Sequence, residues 1–273
     1  MGSFQSHDVL VNNIKIHYQV TSGKGPPLIL VHGFSSFGSS WYPTAHLLKN
    51  NYQIYLPDNR GHGYSDATET EYGPTDRVSD LAGFIHKLNL NKPCIVGHSL
   101  GADTAARMAA EYPDLTECLV LIDPPWLESN ESSNQMPAQI EKTRLEIRHR
   151  MTLPLKILIL LGKNEHPSWT EEEIHTWALG KKLVNPHALQ SIDILDPDWQ
   201  SPVSLIGVPT LLITGDLNLG GLVSPEVSAL FDSLCPVGEV VRISNAGHSI
   251  QMDQFHQFSN YLTHFLRKYY PWF

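Results

Sequence analysis

The sequence predicts an α/β fold, in which helices cover both faces of a mostly parallel β-sheet. Short β-type runs alternate with helix-length segments over most of the 273 residues. The alternation stops between residues 124 and 205, where helical segments dominate, and then resumes. We therefore predict a core formed by residues 1–123 and 206–273, with residues 124–205 inserted as a helical cap. A cap is favoured over a separate small domain because the chain returns afterwards to finish the sheet.

Six strands are predicted before the interruption. The first two, Val9–Val11 and Ile14–Val20, read as an antiparallel hairpin around Asn12-Asn13. Four short apolar runs follow, at Leu28–Val31, Tyr52–Leu56, Cys94–Val96 and Leu119–Ile122. Helices are expected over Thr75–Leu88, where apolar residues recur on one face, and over Ala102–Glu111, whose small residues permit close packing on the sheet.

The later elements begin with three predicted cap helices. These are Pro137–Arg150, Leu153–Leu161 and a helix that ends near Leu183. Thr170 and Glu173 have the spacing of a capping box, which marks the start of the third. The strand–helix rhythm then resumes with Thr210–Thr214, Pro225–Leu234, Glu239–Ile243 and a last helix near Gln254–Lys268.

Charge and composition exclude several classes of function. The chain carries 19 Lys and Arg against 28 Asp and Glu, a net charge of −9, whereas nucleic-acid binding requires a basic face. The most apolar stretch, Leu153–Leu161, is too short to span a bilayer. Cys94, Cys118 and Cys235 have no CxxC spacing, so we expect three reduced thiols and a cytoplasmic protein.

The segment Gly97–Gly101 has the pattern G-x-S-x-G between a predicted strand and a predicted helix. In that setting the pattern is typical of a nucleophile elbow. The serine needs a tight turn so that its hydroxyl projects freely, and glycines flank it where side chains would collide with the neighbouring strand and helix. The helix that follows aims backbone N–H groups at developing negative charge. We predict Ser99 as the nucleophile.

These features resemble the α/β-hydrolase family over nearly the whole chain outside the cap. The resemblance implies a mostly parallel eight-stranded sheet. His32-Gly33-Phe34 resembles the family's oxyanion loop, which implies that the backbone N–H groups of Phe34 and Leu100 hold the oxyanion. Asp58–Ser65 resembles a turn that is structural in most members, and we assign it no catalytic role. His248 follows a predicted strand near the C-terminus, at the family's position for the general base.

The acid that orients His248 has two candidates, Asp123 and Asp216, each at the end of a predicted strand. Most relatives carry this acid where the present chain has Asn218, which cannot supply the charge. Some place it instead after the strand next to the nucleophile strand. Adjacent strands lie about 4.8 Å apart, so Asp123 could reach beneath His248. We favour Asp123 and keep Asp216 as the alternative.

A serine at the elbow suits acyl transfer, which predicts a hydrolase of carboxylic esters or lactones that needs no metal or other cofactor. Its expected partner is a small-molecule substrate. His98 and Trp126 are candidates for the pocket lining, although cap tryptophans can equally form the cap core. The segments Asp123–Trp126 and Gly220–Val223 resemble serine-dependent macrolide esterases, and this resemblance implies a macrolactone substrate. A carbon–carbon bond hydrolase and a slow-turnover ligand receptor remain alternatives.

Overall fold

The computed structural model of the protein describes residues 4–126, 136–193 and 197–272. It contains an eight-stranded sheet in the order β1-β2-β4-β3-β5-β6-β7-β8. β1 pairs antiparallel with β2 and β2 antiparallel with β4, and the other neighbours are parallel. The strands are β1 Gln5–Val11, β2 Ile14–Val20, β3 Pro27–Val31, β4 Gln53–Pro57, β5 Cys94–His98, β6 Cys118–Ile122, β7 Thr210–Thr214 and β8 Gly238–Arg242.

Eleven α-helices occur in the described ranges. They are α1 Tyr42–Leu48, α2 Pro74–Lys87, α3 Leu100–Glu111, α4 Met136–Thr152, α5 Leu155–Glu165, α6 Glu171–Lys182, α7 Gln190–Asp193, α8 Gln200–Ser204, α9 Pro225–Leu234, α10 Ile250–Asp253 and α11 Phe255–Tyr269. Thr170 caps α6 with its side chain and Glu173 reaches back to the Thr170 N–H, as the capping box predicts.

The two faces of the sheet bury separate apolar clusters, because alternate residues of each strand point to opposite faces. On β6, Leu119 and Leu121 pack with α2, α3 and α9 on one face. Cys118, Val120 and Ile122 pack with α1 and α11 on the other face. A mostly parallel sheet with helices on both faces was expected from the sequence, and the structure confirms it.

The N-terminal hairpin turns at Asn12 and Asn13, both in the left-handed region with φ of 50° and 63°. Consecutive left-handed residues match the twist of paired strands, which explains the two asparagines.

The Asp58 carboxylate accepts the amide N–H groups of Gly38 and Tyr64 at 2.7 and 2.9 Å. Asp58 thus joins two loops structurally.

The helices α4 to α8 lie between β6 and β7 in the chain, where the sequence predicts the cap. The final part of this segment joins the core, because Val203 of α8 and Trp199 pack in the cluster of α2, α3 and α9. Trp126 belongs to the same cluster and stacks on Trp199 with ring centroids 4.9 Å apart. That residues 124–205 form a distinct cap stays a prediction. Residues near both ends of this segment, Trp126 and Val203, pack in the core.

Cys94, Cys118 and Cys235 are free and buried. Burial raises the pKa of the Cys94 thiol, as does the thiol of Cys118 on the neighbouring strand. No helix among the described residues is long and apolar enough to cross a membrane.

Candidate active site

Ser99 occupies a sharp turn between β5 and α3. Its φ of 53° and ψ of −123° are strained for a residue with a side chain, and its backbone N–H donates to the Ile122 carbonyl at 2.8 Å. A Cβ on Gly97 would overlap the Gly101 backbone, and a Cβ on Gly101 would overlap the Val31 carbonyl. Both glycines are therefore required by the close approach of β5, α3 and β3, as the elbow motif predicts.

The loop after β3 approaches the elbow just as closely. A Cβ on Gly33 would lie 2.9 Å from the Cβ of Ser99 and 3.1 Å from Nδ1 of His98. The amide N–H groups of Phe34 and Leu100 donate to no acceptor within the residues that the structure describes. Two unpaired donors beside a serine at a helix N-terminus have the composition of an oxyanion hole.

His248 is held by Asp123. Its Nδ1 lies 2.6 Å from Oδ2 of Asp123, a carboxylate with no solvent exposure. The same carboxylate accepts the backbone N–H groups of Leu222 and Val223 at 2.9 to 3.1 Å. The loop after β7 thus satisfies a buried charge that would otherwise be costly. Asp123 itself has a φ of 43° and follows β6 directly.

Asp216, the alternative acid, is engaged elsewhere. One of its oxygens accepts from the Arg242 guanidinium at 2.7 and 3.1 Å, and the other accepts the Asn245 N–H at 2.8 Å. Arg242 lowers the pKa of this carboxylate through these hydrogen bonds. Asn218 is exposed within a 3₁₀ turn, Leu217–Leu219. The structure therefore brings Asp123, and neither of these two residues, to His248.

His98 lies against His248 from the nucleophile side. Its Nε2–H donates to the His248 carbonyl at 2.8 Å, and the two rings are 4.7 Å apart. Burial and the neighbouring His248 lower the pKa of His98 to about 3. A neutral His98 can donate to the His248 backbone carbonyl without repelling a positive charge on the His248 ring.

His32 fixes the loop that carries Phe34. Its Nδ1–H donates to the Gly33 carbonyl at 2.8 Å, and its Nε2 accepts the Asn59 N–H at 2.9 Å. Only the neutral ring makes both bonds, because protonation would place a proton on Nε2 against the Asn59 donor. Burial, together with His62, lowers the pKa of His32 to about 3.

We expect acid to destabilise the protein through His32. Its pKa rises from about 3 when folded to about 6.5 in the unfolded chain, so between these values the unfolded state binds the extra proton. The free energy of unfolding then falls as the pH drops through this window, by up to about 1.4 kcal/mol per pH unit for one histidine. The free energy of unfolding, obtained from urea titrations at several pH values, should depend less steeply on pH in His32→Gln than in the wild type. Equal slopes would contradict the assignment.

A cavity of about 440 Å³ opens onto Ser99 and His248. Its walls include the loop after β3, His98, Leu100 and the α6 residues Trp177 and Lys181. His98 lines the cavity as the sequence predicts. Trp126 is not among the lining residues, because its ring is packed on Trp199 and its Nε1–H donates to buried Asp103 at 3.2 Å. The prediction that Trp126 lines the pocket is therefore wrong.

Sequence reasoning missed Lys181. Its Nζ donates to both the carbonyl and the hydroxyl of Ser35, at 3.1 and 3.0 Å, and lies 4.9 Å from the Trp177 ring centroid. One signal was available: Trp177 and Lys181 are four residues apart and share a helix face. That spacing does not reveal which face of α6 turns toward the sheet.

Comparisons with known proteins agree with this fold. A family model described as alpha/beta hydrolase fold matches residues 26–152. The chain is 28% identical over 265 residues to N-formylmaleamate deformylase of Pseudomonas putida, covering 94% of this chain and 96% of the relative. It is 36% identical over 127 residues to 2-(acetamidomethylene)succinate hydrolase of Mesorhizobium japonicum, 46% of this chain and 45% of the relative.

Solved structures add a match over nearly the full length. The crystal structure of an E-2-(acetamidomethylene)succinate hydrolase superposes with a TM-score of 0.84 at 25% identity, covering 97% of this chain and 99% of that one. The chain has the fold of the α/β-hydrolase superfamily. These matches support a hydrolase, and the similar proteins also include an epoxide hydrolase of Caenorhabditis elegans at 23% identity, covering 98% of this chain and 72% of the relative.

Proposed function

We propose that the protein is a serine hydrolase that cleaves a carboxylic ester or lactone through an acyl-enzyme. Ser99 is the nucleophile, His248 the general base and Asp123 the acid that orients His248. The observation that carries the proposal is the buried 2.6 Å contact between Asp123 and His248 beside a cavity that Ser99 also lines. The Ser99 hydroxyl makes no hydrogen bond with the described residues, and such contacts often tighten only when substrate binds.

The proposed reaction has two halves. Ser99 Oγ attacks the substrate carbonyl while His248 Nε2 accepts its proton, and the N–H groups of Phe34 and Leu100 hold the oxyanion. Collapse of the tetrahedral intermediate transfers that proton to the leaving alcohol and leaves the acyl group on Ser99. Water, deprotonated by His248, then attacks the ester, and collapse of the second tetrahedral intermediate returns that proton to Ser99 Oγ as the acid is released. Asp123 stays ionised and stabilises the imidazolium in both halves.

Amide cleavage is the second candidate, and the relatives favour it. Their names describe removal of a formyl group from N-formylmaleamate and hydrolysis of an acetamidomethylene succinate. The same residues serve this reaction, except that His248 delivers its proton to a leaving nitrogen. The carbon–carbon bond hydrolase and the slow-turnover receptor are supported by no observation at this site.

Cavity volume bears on substrate size. Ligand pockets typically span about 300–1,000 Å³, and the present cavity, at about 440 Å³, lies toward the small end. This volume favours a small ester, lactone or amide over a macrolactone.

A substrate panel tests the proposal. Small esters and N-acyl amides with a common acyl group should be hydrolysed in the presence of added methanol, and small lactones are assayed separately because their leaving alcohol stays on the acyl chain. An acyl-enzyme predicts the same ratio of methyl ester to free acid from every leaving group, because all share one intermediate. Ratios that depend on the leaving group, or activity confined to carbon–carbon substrates, would contradict the proposal.

A further inference from the structure

Lys181 is a partly buried cation that faces the proposed reaction cavity from the cap. It lies in the last turn of α6, where Gly180 allows the helix to approach the loop after β3. A Cβ on Gly180 would lie 2.9 Å from the Ser35 carbonyl oxygen. This close seat lets Lys181 reach Ser35, directly after Phe34 in the chain. Two of its three N–H donors are used by Ser35, which leaves one for another acceptor.

No carboxylate neutralises Lys181 within the described residues. Glu165, which acts on Lys181 electrostatically, is paired with Arg150 at 2.9 Å. Arg150 also pairs with Glu146 at 2.6 Å, so this cluster of one guanidinium and two carboxylates keeps one net negative charge outside the cavity lining. None of the described residues lining the cavity is Asp or Glu.

Lys181 is therefore the one Lys, Arg, Asp or Glu among the described residues that line the cavity, in a chain with a net charge of −9. A buried charge is costly unless it is paired, and Trp177 and Ser35 supply only dipolar partners. We propose that Lys181 binds a carboxylate of the substrate, so that the enzyme selects small anionic acyl compounds. This inference rests on the proposed function for the identity of the reacting bond.

Geometry limits the size of such a substrate. The Lys181 Nζ lies 3.1 Å from the Ser35 carbonyl oxygen. Two residues span at most about 7 Å, so Nζ is within about 10 Å of the Phe34 amide that would hold the oxyanion. The carboxylate and the scissile carbonyl must fit within that reach, as in a monoester of a short dicarboxylic acid.

The charge state of Lys181 depends on what it binds. Burial lowers its pKa to about 7, and the positive charge of Arg150 acts in the same direction. An opposite charge beside an ammonium group favours its protonated form. A bound carboxylate would thus strengthen its own partner.

The test compares two substrates of matched shape, monoethyl succinate and ethyl butyrate, which differ by a carboxylate in place of a methyl group. The readout is the ratio of kcat/KM for the anion to kcat/KM for the neutral ester. Lys181→Met should lower this ratio roughly 10- to 100-fold, the effect of losing a charged hydrogen bond. Lys181→Arg should keep part of the preference. Lys156→Met, which removes an exposed cap charge, should leave the ratio unchanged.

A binding measurement separates this inference from the proposed function. Dicarboxylates from malonate to adipate are titrated calorimetrically into Ser99→Ala protein, with and without Lys181→Met. We expect the tightest of them to lose at least tenfold in affinity. Lys181-dependent binding without hydrolysis of any ester or amide would sustain the inference and refute the function. Hydrolysis with an unchanged ratio, or no dicarboxylate binding, would overturn the role of Lys181.

Discussion

Replacing Ser99 with alanine is expected to lower kcat by about 10⁵- to 10⁶-fold, the scale seen when a serine nucleophile is removed from a hydrolase. The change deletes one oxygen at the elbow and leaves its glycine contacts intact. Residual turnover would come only from the oxyanion donors and substrate binding. Stopped assays on the best ester or amide, with purified protein, measure the loss.

A second serine provides the matched control. Ser191 also lines the cavity and is buried, with 2% of its surface exposed. Ser191→Ala should keep kcat within about tenfold of the wild type, because the hydroxyl has no role in the proposed chemistry. If both variants lost activity equally, or if Ser99→Ala kept wild-type turnover, Ser99 would not be the nucleophile.

Replacing Asp123 with asparagine should lower kcat by about 10⁴-fold. The amide keeps the size of the carboxylate but cannot stabilise the imidazolium, and it favours the wrong tautomer of His248. KM should change far less, because Asp123 does not line the cavity.

Asp216→Asn is the control for Asp123→Asn. Asp216 is bound to Arg242 and to the Asn245 backbone. Its replacement should therefore lower the free energy of unfolding and leave kcat close to the wild-type value. Asp123 also accepts the Leu222 and Val223 N–H groups, and its replacement should therefore cost stability as well. Unfolding titrations of both variants separate the two effects. A large kcat loss in Asp216→Asn and a small one in Asp123→Asn would reverse the assignment.

Local sequence patterns predict the elements that local physics determines. The apolar runs of β5 and β6 are buried on both faces and need little context. The glycines around Ser99 are required by contacts between neighbouring elements, and so the elbow is visible in five residues. Asp123 and Asp216 follow the ends of the neighbouring strands β6 and β7, and the sheet alone does not choose between them.

The choice of acid depends on how the loop after β7 folds. That loop turns the N–H groups of Leu222 and Val223 onto Asp123, a long-range contact that no local pattern encodes. Trp126 and Lys181 are similar cases. Whether a cap residue faces the core or the cavity depends on how α6 and α8 sit on the sheet, since an apolar or charged residue type fits several positions.

The most direct test of the central claim is to identify the acylated residue. Rapid mixing of excess ester with the protein, acid quenching and peptide mass spectrometry should find the acyl mass on the peptide that contains Ser99. The adduct should be absent from Ser99→Ala protein. An adduct on another residue would contradict an acyl-enzyme at Ser99. Turnover that persists in Ser99→Ala protein without any adduct would contradict it as well.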